Sequence, residues 1–397
     1  MLLTFVYPPM QLERKLLIFT TAALAGLGLL MVYSSSITAR PSFADQRFLT
    51  RQLLFLASGI VAACAAARLP IEFWRRAAVP LFIASVVLLA AVLIPGVGAR
   101  LNGARRWFRF ASISIQPSEF AKLSLVLALA RWIELKGDGV RRFLTGWLPL
   151  TVPAVIASGL VLVEPDFGGA VFLIVMAIMM LFLAGVPLWH MLVAVAAAVP
   201  VIGMLVLAQP YRVKRIFEFL AGWSDPDAAP YQVQQSLVAL GSGGLWGTGL
   251  GQGWQKLGFL PEANSDFVFA VVGEELGLVG TLAVLALWGT FLICGLRLAR
   301  QAGTDRFAYL AALGLVSQSV FQALLNIAVV TGSLPPKGIA LPFLSAGGSN
   351  LVVSLVSVGV VLGLTRREER GSRIEDRESK DRVAKLYPQS SILDPQF

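Results

Sequence analysis

The sequence predicts an all-α integral membrane protein with about ten transmembrane helices. Of its 397 residues, 56% are hydrophobic and only 14% are charged, which is more apolar surface than a soluble protein can keep from water. Apolar runs of about 20 residues, long enough to cross a bilayer, recur along the whole chain. These runs are predicted to be helices, because backbone polar groups in lipid must be satisfied within their own segment.

The predicted domain organisation is a cytoplasmic N-terminus (1–15), a transmembrane domain (16–365) and a charged, disordered cytoplasmic tail (366–397). A signal peptide is an alternative for the first apolar run, but that run is long for an h-region and no A-x-A cleavage site follows it. A large outer loop, 208–266, separates helices 7 and 8. The predicted helices cover 16–33, 52–68, 78–95, 118–133, 147–163, 169–184, 188–207, 267–296, 308–330 and 347–365.

Basic residues predict that both termini are cytoplasmic, because they concentrate in the connections that this orientation places inside. Two outer loops, 96–117 and 208–266, carry basic residues on the opposite side of the membrane. This favours anion binding by these residues over the alternative that the charge bias is only statistical and the residues have no role. Within the second loop, apolar residues at helical spacing predict a short amphipathic helix, which either lies on the membrane surface or packs onto the bundle. The inner basic residues are Arg14, Lys15, Arg68, Arg75, Arg76, Arg131, Lys136, Arg141, Arg142, Arg297, Arg300, Arg306, Arg366, Arg367 and Arg370.

The segment before the eighth helix contains the strongest candidate for chemistry. Asp266 lies at the helix rim beside Phe267 and Phe269, an apolar setting that can raise the pKa of a carboxyl group. A carboxylate there can take a proton from a sugar hydroxyl. The alternative is an acid at a helix N-terminus, favoured by the helix dipole. Glu274 and Glu275, in the first turns of the helix, are interpreted as binding neighbouring helix groups or bracing this site.

Cations accompany the carboxylates in the outer segments. Glu119 and Lys122 are three residues apart and can pair on one helix face, so the partner of Lys122 is either Glu119 or a lipid pyrophosphate. Arg106 lies beside an interfacial tryptophan, and Lys337 precedes a glycine-rich segment. Asp166 follows a tight outer turn and is predicted either to cap the next helix or to face the same cavity.

Several classes of protein are disfavoured by what the sequence lacks. It contains no phosphate-binding P-loop, no metal-ligand spacing and no nucleophile elbow. The net charge of +10 comes from loops and termini rather than from a basic domain, which disfavours nucleic acid as a partner. The outer carboxylates, cations and glycine-rich turns instead suit an anionic, lipid-linked sugar.

Taken in order, these motifs resemble the SEDS family of cell-wall proteins, the FtsW/RodA family. The resemblance extends from about residue 30 to residue 365. Asn264, Ser265, Glu164, Ala346 and Asn350 depart from the family pattern, with Glu164 in place of a usual glutamine. The matching stretches are Val32–Ser36, Arg106–Trp107, Gln116–Lys122, Pro165–Asp166, Tyr231–Ser236, Gly249–Gly251, Leu260–Ala263, Asp266–Phe267, Gly273–Gly277, Gln322, Asn326, Lys337–Gly338, Leu341–Pro342 and Gly347–Ser349.

The resemblance implies an inverting peptidoglycan glycosyltransferase in the bacterial inner membrane that polymerises lipid II, with Asp266 as the essential carboxylate. Its partners would be undecaprenyl-pyrophosphate-linked glycan, a class B penicillin-binding transpeptidase and other membrane proteins of the division septum. A divalent cation, Mg²⁺ or Mn²⁺, is an open alternative for stabilising the pyrophosphate. The predicted substrate-binding residues are Arg106, Glu119, Lys122, Lys256, Glu262, Lys337 and Ser349.

Three alternatives to a division enzyme stay open at this stage. A lipid II flippase has the same composition, and glycan formation in detergent separates the two. An elongation polymerase is the close relative, although Leu260–Ala263 and Pro336–Gly338 resemble the division branch more. A scaffold that only recruits a transpeptidase would tolerate substitution of Asp266.

Overall fold

The computed structural model describes residues 11–36, 43–101, 104–110 and 113–366, so the predicted C-terminal tail after Arg366 lies outside the described residues. Every predicted transmembrane segment falls on a helix, which confirms the all-α fold class. The helices are α1 Gln11–Ser36, α2 Phe43–Arg68, α3 Ile71–Leu93, α4 Pro117–Lys136, α5 Leu148–Val163, α6 Phe167–Leu183, α7 Leu188–Leu207, α8 Pro210–Ala221, α9 Tyr231–Ser242, α10 Val268–Gln301, α11 Arg306–Val330 and α12 Gly348–Arg366.

Among the described residues, 8 helices are long and apolar enough to cross a membrane. Two of the predicted spans fall short of that measure for different reasons. Helix α6 has only 17 residues, and α4 carries five charged side chains along its length. Helix α4 is nevertheless buried against other helices along most of its length. Its charged residues are accommodated there by ion pairs, Lys122 with Glu119 (2.8 Å) and Arg131 with Glu134 (2.5 Å). At the periphery, α7 buries only His190 and Met191.

The loop predicted over 96–117 is in fact a small antiparallel sheet. Its three strands are β1 Ala99–Leu101, β2 Ala104–Phe110 and β3 Ile113–Ile115, in the order β1-β2-β3. In the second pairing, Phe108 lies opposite Ile115 and Arg109 opposite Ser114. The sheet holds Arg106 on β2, beside the start of α4.

Helix α10 is broken at Gly277, which divides the predicted eighth span into a short segment, 268–276, and a long helix, 278–301. Gly277 has φ 65° and ψ −161°, a backbone conformation that favours glycine. A Cβ there would lie 2.4 Å from the amide nitrogen of Gly247 in the preceding loop. The loop also pairs with the helix on both sides of the break, through Thr248 N to Glu274 O (2.9 Å) and Leu278 N to Gly244 O (2.9 Å). These contacts fix the position of the short segment, which begins two residues after Asp266.

Candidate functional site

A polar cavity of about 400 Å³ lies where the N-terminal ends of α4, α6 and α12 meet the loop before α10. Helix N-termini carry partial positive charge from the helix dipole and from unpaired backbone N–H groups. Three of them around one cavity favour an anionic ligand. The residues that line the cavity include Arg106, Trp107, Gln116, Glu119, Lys122, Asp166, Gly168, Phe172, Glu262, Asp266, Gly338 and Ser349.

Asp266 is half-buried at this cavity, and its position is fixed by contacts with Asn326 and Gly338. The side-chain amide of Asn326 donates to the carbonyl oxygens of Asp266 (2.7 Å) and Ile339 (2.6 Å), which ties the two loops together. The carboxylate lies against Gly338, where a Cβ would be only 2.6 Å from Oδ2. Glycine at 338 therefore leaves the space that the carboxylate occupies.

Burial and, to a smaller extent, the negative charges of Glu262 and Asp166 together raise the pKa of Asp266 to about 7. A carboxyl group with a pKa near neutrality is well matched to general-base catalysis, because its basic form is both populated and a good proton acceptor. Glu262 lines the same cavity, and its side chain accepts a hydrogen bond from Ser265 Oγ at 2.7 Å.

Any activity that uses Asp266 as a base should rise with pH through about 7, because only the deprotonated carboxylate accepts a proton. Glu262→Gln removes a like charge, so it should lower the pKa of Asp266 and move this acidic limb to lower pH by less than about one unit. The measurement is the initial rate, between pH 5.5 and 8.5, of glycan formation, the activity that the family resemblance implies. Asp227→Asn, an exposed acid of the same loop outside the cavity, is the matched control. A limb that stays in place in Glu262→Gln would contradict the coupling.

Lys122 is held inside the cavity wall by a buried polar chain. Its Nζ donates to Glu119 Oε1 at 2.8 Å and to Gln322 Oε1 at 3.2 Å, and it lies 5.1 Å from the centroid of the Phe172 ring. Gln322 in turn donates to the carbonyl of Ala340 at 2.9 Å. Because Lys122 and Glu119 are each only 8% exposed, the pair is a buried ion pair that faces the cavity.

Two further cations lie beside the N-terminus of α6. Arg106 donates to the carbonyl oxygens of Glu164 (3.0 Å) and Pro165 (2.6 Å), so the sheet and the α5–α6 turn are joined by this side chain. Lys337 lies against Gly168, where a Cβ would overlap its Cε. Burial lowers the pKa of Lys337 to about 8; Asp166 opposes this shift and Lys122 adds to it. An anion that binds beside Lys337 would favour the protonated, positively charged form of this lysine.

Glu164 is a fully buried acid at the end of α5, and neither carboxyl oxygen has a hydrogen-bond partner. Burial raises its pKa to about 8, with a contribution from Asp166 and an opposing one from Arg106. At neutral pH the side chain is therefore mainly neutral, as the glutamine expected here from the family resemblance would be. Its carbonyl, rather than its side chain, accepts from Arg106.

Glu164→Gln should keep activity and make stability less dependent on pH. The pKa of Glu164 is higher in the folded protein than in the unfolded chain. The protonated carboxyl group therefore stabilises the folded state below the unfolded-state pKa, and this contribution is lost as pH rises through about 8. We expect the wild type to lose on the order of 1–4 kcal/mol between pH 6 and 9 through this group, and the variant to lose none of it. Thermal unfolding in detergent across that range measures the difference. Parallel pH curves for the two proteins would contradict a buried acid here.

The structure brings most of the predicted site residues together, with one exception. Arg106, Glu119, Lys122, Glu262, Asp266 and Ser349 all line the cavity, and Lys337 adjoins it through Gly168. Ser349 is engaged by the protein, since its hydroxyl accepts from the backbone N–H of Gln116 at 2.9 Å.

Lys256 is the exception, and its predicted role as a substrate ligand is wrong for this structure. Its Nζ is 2.6 Å from Glu275 Oε1 and 2.8 Å from Ser34 Oγ, and its side chain is only 1% exposed. The loop that bends around Gly277 carries Lys256 into this buried pair. Glu274 and Glu275 both bind the preceding loop: Glu274 Oε1 accepts from the backbone N–H groups of Trp254 (2.6 Å) and Gln255 (3.1 Å), and Glu275 Oε2 accepts from that of Gly251 (3.1 Å).

Gln322 and Asn326 are positioning residues to which the sequence analysis assigned no role. They lie one helical turn apart on the mainly apolar α11, and both are almost fully buried. That spacing of two amides on one helix face is a usable signal, because buried polar side chains need partners and so mark polar sites inside a bundle.

The FtsW/RodA/SpoVE family model, described as cell cycle protein, matches residues 14–370. The probable peptidoglycan glycosyltransferase FtsW of Trichlorobacter lovleyi is 43% identical over 351 residues, which cover 88% of this chain and 92% of that protein. Stage V sporulation protein E of Bacillus subtilis is 40% identical over 353 residues, covering 88% and 96%.

Solved structures are similar over the same extent. One chain comes from a study of how polymerization and crosslinking are coordinated by a peptidoglycan synthase complex; it has a TM-score of 0.73 and 31% identity, and covers 88% of this chain and 97% of its own length. The crystal structure of the rod shape determining protein RodA of Thermus thermophilus has a TM-score of 0.63 and 31% identity, covering 88% and 95%.

Proposed function

This chain belongs to the FtsW/RodA/SpoVE family, and we propose that it is a multi-pass membrane glycosyltransferase that polymerises lipid II into peptidoglycan strands. One observation carries the proposal: the half-buried carboxylate of Asp266 shares a cavity with cations and three helix N-termini. A base and an anion site side by side are what a transfer from a lipid pyrophosphate requires.

Asp266 is the general base in this proposal. The acceptor lipid II places the 4-hydroxyl of its GlcNAc against the carboxylate, which takes the hydroxyl proton as the oxygen attacks the anomeric carbon of the donor MurNAc. The bond from that carbon to the pyrophosphate breaks, and undecaprenyl pyrophosphate leaves from the opposite face, which inverts the configuration. Glu262 supports the step by keeping the pKa of Asp266 high.

The leaving pyrophosphate is stabilised by the positive side of the cavity. Lys122 and Arg106 line it, Lys337 adjoins it, and the N-termini of α4, α6 and α12 add partial positive charge. In the described part of the chain no group of three His, Cys, Asp or Glu residues is arranged to hold a metal ion. We therefore propose that any Mg²⁺ or Mn²⁺ would enter with the pyrophosphate.

We further propose a place at the division septum of the bacterial inner membrane. The support is the similarity to a probable peptidoglycan glycosyltransferase FtsW, at 43% identity over 88% of the chain. The similarity to a chain of a peptidoglycan synthase complex that coordinates polymerization and crosslinking supports assembly with a crosslinking partner, which we propose to be a class B penicillin-binding transpeptidase. Coupling to a transpeptidase would deliver each new glycan strand directly to the crosslinking step.

The test is glycan formation by the purified full-length chain in detergent. With lipid II as the only substrate, a polymerase should give a ladder of glycan products, with and without a cognate transpeptidase. Detergent abolishes the two compartments that transport needs, so a flippase would give no product. Absence of polymer under both conditions, from protein that unfolds cooperatively, would overturn the proposal.

A further inference from the structure

A second cavity of about 500 Å³ opens between α1, α2 and α12, and its walls are mainly apolar. Ile18, Leu56, Ile60 and Leu355 are among the side chains that line it. Ile18 and Ile60 keep 52% and 48% of their surface exposed, so this groove opens sideways, towards the hydrocarbon of the membrane. We refer to it below as the α1–α2–α12 groove.

Three arginines line the groove near one end of the bundle: Arg14 in the first turns of α1, Arg68 at the end of α2, and Arg366 at the end of α12. Arg14 is fixed there, because its Nη2 donates to the carbonyl of Leu362 at 3.1 Å. Arg68 and Arg366 are exposed. An apolar groove that ends in three guanidinium groups combines a site for a hydrocarbon chain with a site for an anion.

The length of the groove matches one leaflet of a bilayer. From Arg14 to Ala25 along α1 the helix rises about 16 Å, and half of the hydrocarbon core is about 15 Å thick. Ser34, near the other end of α1, contacts Glu275 in the segment that follows Asp266. The groove and the Asp266 cavity therefore lie towards opposite ends of the bundle, and the groove is not part of the glycosyl-transfer site.

We propose that the α1–α2–α12 groove binds an anionic glycerophospholipid, with an acyl chain between the three helices and its phosphate on Arg14, Arg68 and Arg366. Guanidinium groups present paired N–H donors that match phosphate oxygens, which favours this headgroup over an uncharged one. A zwitterionic lipid fits less well, because its own cation offsets the phosphate. The positive-inside prediction places this end in the cytoplasmic leaflet, where anionic lipids attract basic residues.

The headgroup is tested by native mass spectrometry of the purified full-length chain with phosphatidylglycerol or phosphatidylcholine of identical acyl chains. We expect phosphatidylglycerol to bind about tenfold more tightly, and Arg68→Gln/Arg366→Gln to remove most of that preference. Arg76→Gln, an exposed arginine on α3 that does not line the groove, should leave binding unchanged. Equal binding of the two lipids, or a double variant that keeps the preference, would overturn the proposal.

Cys64 provides the test of the acyl-chain site, because it lines the groove and is exposed, whereas Cys294 is buried. Phosphatidylglycerol should slow maleimide labelling of Cys64 more than phosphatidylcholine does. Cys64→Trp should weaken lipid binding by filling the groove, and Cys64→Ala should not. If Cys64 is already unreactive without lipid, another segment covers the groove and the proposal fails. The Cys64→Trp variant should polymerise lipid II normally, so this test is independent of the proposed function.

Discussion

Asp266→Asn should lower the rate of lipid II polymerisation by about 10²–10⁴-fold, the usual contribution of a general base. Asparagine keeps the shape of the side chain but offers no basic oxygen, so binding at the cations of the cavity should survive while the chemical step slows. Asp266→Glu restores the base but moves it by one methylene, and it should recover part of the activity. The measurement is the initial rate with saturating lipid II, which reports mainly the chemical step.

Stability provides the control for Asp266→Asn. Burial raises the pKa of Asp266 to about 7, so the stabilising contribution of this group is lost as pH rises through that value. At pH 8 the variant should therefore unfold at the same temperature as the wild type or at a higher one. Replacing a buried, charged active-site group by a neutral one commonly raises stability while it lowers activity. A variant that retains the parental rate would exclude Asp266 as the base.

The helices were predictable from the sequence because each apolar run is long enough to identify by itself. The sheet between α3 and α4 was not, because its strands have only 3, 7 and 3 residues, too short for an alternating pattern to be distinguished from a loop. The break at Gly277 was also missed. A glycine inside an apolar helix is compatible with both a continuous and a broken helix, and contacts with the loop at Gly247 decide which forms.

At the site, residue types were predictable but partners were not. Asp266 was identified from its place before an apolar helix, whereas Lys256, only ten positions earlier, was assigned to the same cavity and is instead paired with Glu275. Proximity in sequence is a poor guide here, because the two residues are held by different helices, Lys256 by Glu275 on α10 and Asp266 by Asn326 on α11. Conversely, Lys122 and Gln322 are 200 positions apart and in hydrogen-bond contact, a pairing that only the packing of α4 against α11 reveals.

Lys122→Met should lower both activity and stability, and a second substitution can separate the two effects. Removing Lys122 leaves Glu119 as a buried acid without its cation, which typically costs about 3–5 kcal/mol of folding free energy. Loss of a cation that stabilises the leaving pyrophosphate should also reduce kcat/KM by about 10²–10³-fold. A single variant cannot distinguish a misfolded site from a missing charge.

The double variant Lys122→Met/Glu119→Gln removes both charges, so the stability loss should shrink to about 1 kcal/mol or less, because a buried ion pair contributes little more than neutral side chains of similar shape. If Lys122 acts on the pyrophosphate, the rate should stay low although the fold has recovered. Recovery of the rate together with stability would instead show that Lys122 serves only to neutralise Glu119. Arg131→Met, which breaks a half-exposed pair with Glu134 on the same helix, should leave the rate unchanged, because that pair lies outside the cavity.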